Sequence, residues 1–195
     1  MLLQLTSGIG FGGLGASVPP YEKALAVELK TPPGARFTYG GVPLQVFGAV
    51  LERKLAGRAP SVHEYLRERI LEPIGMHVSS WRTLRDGRAP LPTGAFVAPH
   101  DWSLFGRLVR DRGTWRGAQV VRASTLAQCF EGSQANPRYG LCWWLSPLPQ
   151  VPDIVYASGA GGQAMYVIPS ARVVVVKFGK SSSYRHETFL MRLLG

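Results

Sequence analysis

Two short segments hold residues whose types and spacing suit acyl chemistry. The first is Pro33-Gly34-Ala35-Arg36-Phe37-Thr38-Tyr39-Gly40-Gly41, where a phenol stands just ahead of an apolar run. A tyrosine can take or give a proton as general base or acid, although a lone one there usually packs. The second is Tyr156-Ala157-Ser158-Gly159-Ala160-Gly161-Gly162-Gln163. Its small side chains let a substrate approach the main chain, and free N–H groups in such a turn can stabilise an oxyanion. The plain alternative is a tight turn and nothing more.

Other candidates carry less. Gly8-Ile9-Gly10-Phe11-Gly12-Gly13 has the lettering of a dinucleotide-binding loop, and Glu28 lies twenty residues past Gly8. That role needs a helix N-terminus after the loop to hold the pyrophosphate, and Gly15 with Pro19-Pro20 prevents one. The histidines His63, His77, His100 and His186 fall into no metal-binding spacing, so no metal or other cofactor is expected. A Gly-x-Ser-x-Gly elbow is absent. Cys129 and Cys142 are expected as small core residues, in a helix and an aromatic strand respectively.

The elements that must position the two segments follow from periodicity. A helix is expected from Val42 to about Ala56, with Val46, Phe47, Val50, Leu51 and Leu55 on one face and Gly57 past its end. Ser61-Val62-His63-Glu64 is a capping box, and Pro73 should stop that helix after Ile70 and Leu71. Another helix opens at His100-Asp101-Trp102, and Ser124 should cap a short one through Phe130. Strands are expected over Tyr139–Leu145, Ile154–Tyr156, Gln163–Ile168 and Arg172–Phe178, the last two joined at Pro169-Ser170-Ala171. Val173 to Val176 lacks alternation, as in a strand covered on both faces. A closing helix should run from Tyr184 to Leu194. Helices first and an antiparallel sheet last give the α/β class. The division is a helical and loop part over 1–138 and strands plus a C-terminal helix over 139–195.

The 195 residues, 46% hydrophobic and 17% charged, suit one globular core. The net charge of +10 is spread over separate elements with no interleaved aromatics, so nucleic acid is not an expected partner. No apolar stretch reaches membrane-spanning length, and no export signal is read, which leaves localisation open.

The order of motifs resembles the β-lactamase-related serine hydrolases, which include class C β-lactamases, penicillin-binding DD-peptidases and related esterases. Leu2-Leu3-Gln4-Leu5-Thr6-Ser7-Gly8 is similar to their LLxHTSG segment, and Pro33-Gly34-x-x-Phe37-x-Tyr39 to PGxxFxYSN. Glu68 to Met76 resembles xxIxxPLGM, Tyr139 to Trp144 resembles YGLGWW, and Ser158 to Gly162 followed by Tyr166-Val167-Ile168-Pro169 resembles HTGxxGG…P. The resemblance implies a β-lactamase/transpeptidase-like sandwich and an acyl-enzyme mechanism, in which a Ser-x-x-Lys serine is the nucleophile. It implies Tyr39 as the proton-handling phenol, Ser158 and Gly159 as the end of the edge-strand triplet, and the Ala160 N–H as an oxyanion donor.

Three departures qualify that picture. Gly41 stands where the family has the asparagine of Tyr-x-Asn, and Ala157 where it has lysine or histidine. Both losses point away from β-lactams and toward a neutral ester or amide as the small-molecule substrate. No serine is followed three residues later by lysine. The expectation is therefore a partial domain whose nucleophile segment belongs upstream of Leu2, with little activity alone. A complementary N-terminal segment, or self-association through an open edge at Val173–Val176, is the expected partner. The alternatives are a non-catalytic binding or pairing module and an enzyme using Ser7 or Ser158, the latter disfavoured because no lysine or histidine neighbours either serine in sequence.

Overall fold

The computed structural model describes residues 1–10, 18–181 and 183–195. The later part of the Gly-rich motif, with Gly12, Gly13 and Gly15, lies outside the described residues. After Pro19-Pro20, α1 (Tyr21–Leu25) is a short turn that buries Tyr21 and Ala24. α2 (Val42–Leu55) follows the Tyr39 segment, with Pro43 in its first turn, where a missing N–H leaves no intrahelical bond unmade. Its buried positions are Val42, Pro43, Leu44, Gln45, Gly48 and Ala49, whereas the expected Val46–Leu55 stripe is only half-buried. Gly48 explains the rotation. A Cβ there would meet the Tyr21 ring at 2.7 Å and Leu91 at 3.1 Å, so the small-residue face is the one that lies against α1.

α3 (Val62–Leu66) opens with the expected cap, Ser61 Oγ accepting the Glu64 N–H at 3.1 Å. Pro73 does not stop the helix after Leu71. The chain passes through a π-helical turn, Arg67–Leu71, into α4 (Glu72–Ile74), and ends on Gly75 at φ +71°. The Glu72 N–H bonds back to Arg67 O across that wider turn. Widening the turn ahead of a proline accommodates both its ring and its missing donor.

Two small ribbons flank the next long helix: β1 (Ser80–Trp81) pairs β2 (Ala95–Phe96), then comes α5 (Pro99–Arg110), then β3 (Thr114–Trp115) pairs β4 (Ala118–Gln119). α6 (Ala123–Gln128) starts after Arg122, so Ser124 lies inside it and does not cap it.

The main sheet is antiparallel in sequential order: β5 (Trp144–Leu145), β6 (Val155–Gly159), β7 (Gln163–Ile168) and β8 (Val173–Lys177). The expected strand over Tyr139–Leu145 shrinks to its last two residues. Cys142 adopts φ +63°, Tyr139 bridges Trp144, and the N–H groups of Leu141 and Cys142 bond Cys129 O and Leu3 O. Main-chain partners on two neighbouring loops hold this segment as a turn.

Alternate residues of the strands divide between two layers. Ile154, Tyr156, Ala164, Tyr166 and Ile168 face Leu190 of α7 (His186–Leu194). Val155, Met165 and Val167 face Val109 of α5 and Trp143. β8 gives Val173 and Val175 to the first layer and Val174 and Val176 to the second, so both its faces are covered, as its unbroken apolar run predicts. Its valines are nevertheless half-buried, because β8 ends the sheet among the described strands. α5 lies close on its face: a Cβ on Gly106 would meet Val174 Cγ1 at 2.5 Å and Met165 Sδ at 2.9 Å. The result is a helix–sheet–helix sandwich, with the smaller helices and ribbons to one side.

Candidate functional site

An extended segment carries Tyr39, pinned where the Thr38 N–H donates to Leu5 O at 2.8 Å. Its ring sits in an aromatic cluster, 5.5 Å from Trp144 and 6.0 Å from Tyr139, which it meets edge-on. Phe37, Leu5 and Leu44 complete the apolar surround. Burial raises the phenol pKa above its ordinary value, and the Trp144 side chain partly opposes this. No cation contributes to the shift. Tyr39 is thus a proton donor at neutral pH and would become a base only beside a cation. It borders a cavity of about 290 Å³ that Gly8, Gly10, Lys30, Thr31 and Arg36 also line. Gly41 is buried at the N-cap of α2, where a Cβ would meet Val18 at 3.3 Å and Pro92 at 3.6 Å. A Cβ there would press Val18 by a few tenths of an ångström and sit in ordinary contact with Pro92, so the position leaves little room for a side chain.

The second segment ends β6 and turns into β7. Gly161 and Gly162 take φ +77° and +81°, a region that side-chain-bearing residues avoid, so the glycines are required by the turn. The Lys177 ammonium donates to Gly162 O at 3.0 Å and lies 4.4 Å from the centre of the Tyr184 ring. Ser181 N–H donates to Gly161 O at 2.9 Å. Gly159 and Ala160 are exposed at the tip, and Ala160 N–H takes part in no backbone hydrogen bond among the described residues.

Strand alternation sends Ala157 and Ser158 to opposite faces. Ala157 pairs with Met165 on the α5 side, and Ser158 points toward the start of α7. There Ser158 Oγ lies 3.1 Å from His186 Nε2. The other ring nitrogen, Nδ1, is 2.5 Å from Tyr166 Oη, and Tyr166 Oη is 2.6 Å from Tyr184 Oη. Burial, with the Lys177 charge adding to it, holds the His186 pKa below the ordinary histidine value, so the imidazole is neutral at pH 7. Burial likewise pushes Tyr166 and Tyr184 upward, and both remain phenols. A neutral imidazole between a hydroxyl and a phenol can accept a proton at one nitrogen while donating at the other.

The two places share a wall. Trp144 stacks on Tyr156 at 6.3 Å, and the Tyr156 ring is 4.8 Å from that of His186. A cleft of about 380 Å³ beside this wall is lined by Trp144, Tyr156, Arg185, His186 and Glu187 among others. Tyr39 and Ser158 therefore flank one aromatic surface; Tyr39 borders the first space and His186 the second, and Ser158, Gly41, Gly159 and Ala160 line neither. Among the described residues no group of three or more His, Cys, Asp or Glu side chains is placed to hold a metal ion, and no helix is long and apolar enough to cross a membrane.

The family model described as Beta-lactamase matches residues 1–188. The chain belongs to the beta-lactamase family. Solved structures agree on the fold. A Bacillus anthracis protein provisionally named a 6-aminohexanoate-dimer hydrolase superposes with a TM-score of 0.76 at 18% identity, over 98% of this chain and 57% of that one. A Mycobacterium bovis β-lactamase gives 0.63 at 20% identity, over 91% and 66%. A family VIII carboxylesterase gives 0.65 at 16% identity, over 97% and 68%. No curated protein sequence matches significantly. The chain is thus a mixed α/β sandwich of the β-lactamase/transpeptidase type that spans between about half and two thirds of these relatives. It shares the fold of a β-lactamase-related serine hydrolase.

His186, Tyr166 and Tyr184 escaped the sequence reading. His186 stands twenty-eight residues from Ser158, and nothing local marks it. The usable signal was indirect: Tyr156 and Ser158 share a strand face, and the closing helix that begins at His186 packs on that same face.

Proposed function

We propose that this chain carries the phenol-and-hairpin side of a hydrolase site for neutral esters or amides. Membership of the beta-lactamase family supports acyl chemistry, and one observation carries the substrate class: both usual anchors of an anionic substrate are gone. Gly41 is packed by Val18 and Pro92 with little room for a side chain, and Ala157 faces the α5 layer without a charge. Tyr39 would protonate the leaving group, and the Ala160 N–H would face the developing oxyanion. The sequence contains no Ser-x-x-Lys, so we take the nucleophile, and the cation that would lower the Tyr39 pKa, to come from a separate segment.

The test adds a Ser-x-x-Lys-bearing segment from a family member, in trans or fused ahead of Met1, and follows p-nitrophenyl butyrate and nitrocefin. Ester turnover should appear with the segment, fall about 100-fold in Tyr39→Phe, the size of a lost general acid–base step, and leave nitrocefin intact. Nitrocefin hydrolysis at a comparable rate, or ester turnover indifferent to Tyr39→Phe, would sink the reading.

A second reading, a pairing module, is favoured by β8, which ends the sheet among the described strands. Sedimentation at increasing concentration separates the two, since a pairing module should associate without any ester hydrolysis.

A further inference from the structure

Apart from the Tyr39 cavity, the molecule joins a hydroxyl to a base at the start of α7. A nucleophile needs a base within hydrogen-bond reach, and the base needs a partner that fixes its orientation. Ser158 Oγ meets His186 Nε2 at 3.1 Å, and Tyr166 Oη meets Nδ1 at 2.5 Å. Tyr166 is fully buried and bonds Tyr184 in turn at 2.6 Å, so the ring is held from behind by a group with no access to water. His186 also lines a cleft walled by Trp144, Tyr156 and Pro147 and edged by Arg138, Arg185 and Glu187; Ser158 lies outside that lining, beyond the imidazole, and the aromatic walls suit a flat or short apolar acyl group.

We propose that Ser158 is an acyl-accepting serine activated by His186, a site separate from Tyr39 and from any Ser-x-x-Lys. Its substrates are activated carboxylic esters with an aryl leaving group. Ser158 Oγ attacks the carbonyl carbon, forming a C–O bond, while its proton passes to His186 Nε2. The bond to the aryl oxygen then breaks, and the leaving oxygen takes that proton from the imidazolium and departs as the phenol. Water attacks the seryl ester with His186 again as base, releasing the carboxylic acid and restoring the serine. The partner behind the imidazole is a phenol, not a carboxylate, and Lys177 is close, so the imidazolium is weakly supported. Slow, near-stoichiometric acylation follows, in place of fast turnover.

The mechanism requires one tautomer: Nε2 bare toward Ser158, and Nδ1–H donated to Tyr166, whose own hydroxyl points to Tyr184. The test treats the full chain with a fluorophosphonate, whose P–F bond breaks as the serine oxygen bonds phosphorus and the proton leaves with fluoride. The products are followed by intact mass and peptide mapping. One adduct on Ser158 is expected. It should be absent in Ser158→Ala, at least about 100-fold slower in His186→Gln, and unchanged in Ser103→Ala, whose hydroxyl only donates to the His100 carbonyl within α5. No adduct, an adduct elsewhere, or labelling of Ser158 at the same rate in His186→Gln would overturn the proposal. Should His186→Gln fail to fold, the imidazole ¹⁵N spectrum of the unmodified chain decides. A bare Nε2 at His186 upholds the proposal and a protonated one ends it.

Discussion

Tyr39 and Ser158 are hydroxyls along one aromatic surface, and their surroundings differ in kind. Tyr39 is ringed by Phe37, Tyr139 and Trp144, which keep its proton in place and offer no charge to draw it away. Ser158 heads a chain of hydrogen-bonding side chains, His186, Tyr166 and Tyr184, that runs into the buried layer under α7. The contrast shows that a hydroxyl's chemistry lies in its partners. The tyrosine has the motif, yet among the described residues no cation lowers its pKa, and the serine has a base that no motif announced.

The frame of the Ser158 site should be the easier to break. Gly106→Val forces two methyl groups into the space now filled by Val174 and Met165, beneath the strands that hold Tyr166 and Ser158. Overpacking at such a position costs about 3 kcal/mol, which urea unfolding would measure. A change below 1 kcal/mol would mean that α5 can lift from the sheet at little cost, and the rigidity assigned to that half would be wrong.

A milder change distinguishes the two hydroxyl sites directly. Tyr166→Phe leaves His186 Nδ1 and Tyr184 Oη without their shared partner inside the fold, at a cost of about 2 kcal/mol for stranded polar groups. Tyr39→Phe removes a hydroxyl that borders an open cavity, so little is stranded, and should cost about 0.5 kcal/mol. Equal losses in thermal unfolding would erase the distinction. A further sharpening comes from the His186 ring: Tyr166→Phe should mix its tautomers in the ¹⁵N spectrum, and Tyr39→Phe should leave them as they were.

Much of this arrangement was legible in the residues, and the remainder fails for identifiable reasons. The Gln163–Ile168 and Val173–Lys177 hairpin follows from runs of apolar residues about a Pro-Ser-Ala turn, a local signal. The motif order located Tyr39 and the hairpin because it is linear along the chain. The inner face of α2 was misplaced because Gly48 and Gln45, which the periodicity counts as neutral or outward, are the residues that fit against Tyr21 and Leu91. The strand over Tyr139–Leu145 was overextended because hydrogen bonds to Leu3 and Cys129, both distant in sequence, fold it back. His186 was missed for the same reason: its partners are twenty to twenty-eight residues away, and only the docking of α7 brings them within reach.

The smallest effect concerns pH, and it tests whether two half-buried imidazoles are neutral by design of their surroundings. His186 is faced by Ser158, Tyr156, Tyr166 and Tyr184, with Lys177 as the nearby cation and Glu187 beside it paired to Arg138. His63, under Trp81, has the Pro90 carbonyl as partner, and the carboxylates of Glu52 and Glu64 only partly offset its burial. In both cases burial holds the folded pKa below 6.5. Above pH 6.5 both folded and unfolded imidazoles are neutral, and stability should be flat. As pH falls below 6.5 the unfolded chain binds protons that the folded chain refuses, so stability should decline toward about pH 5. Asp111, lowered by Arg110, adds its own loss from the ordinary carboxylate pKa downward, below this window. Unfolding curves between pH 7.5 and 5, with histidine resonances followed by NMR, check the sign. If His186 titrates at or above 6.5, the site stabilises an imidazolium, Ser158 faces a stronger base than its phenol partners imply, and the contrast with Tyr39 widens.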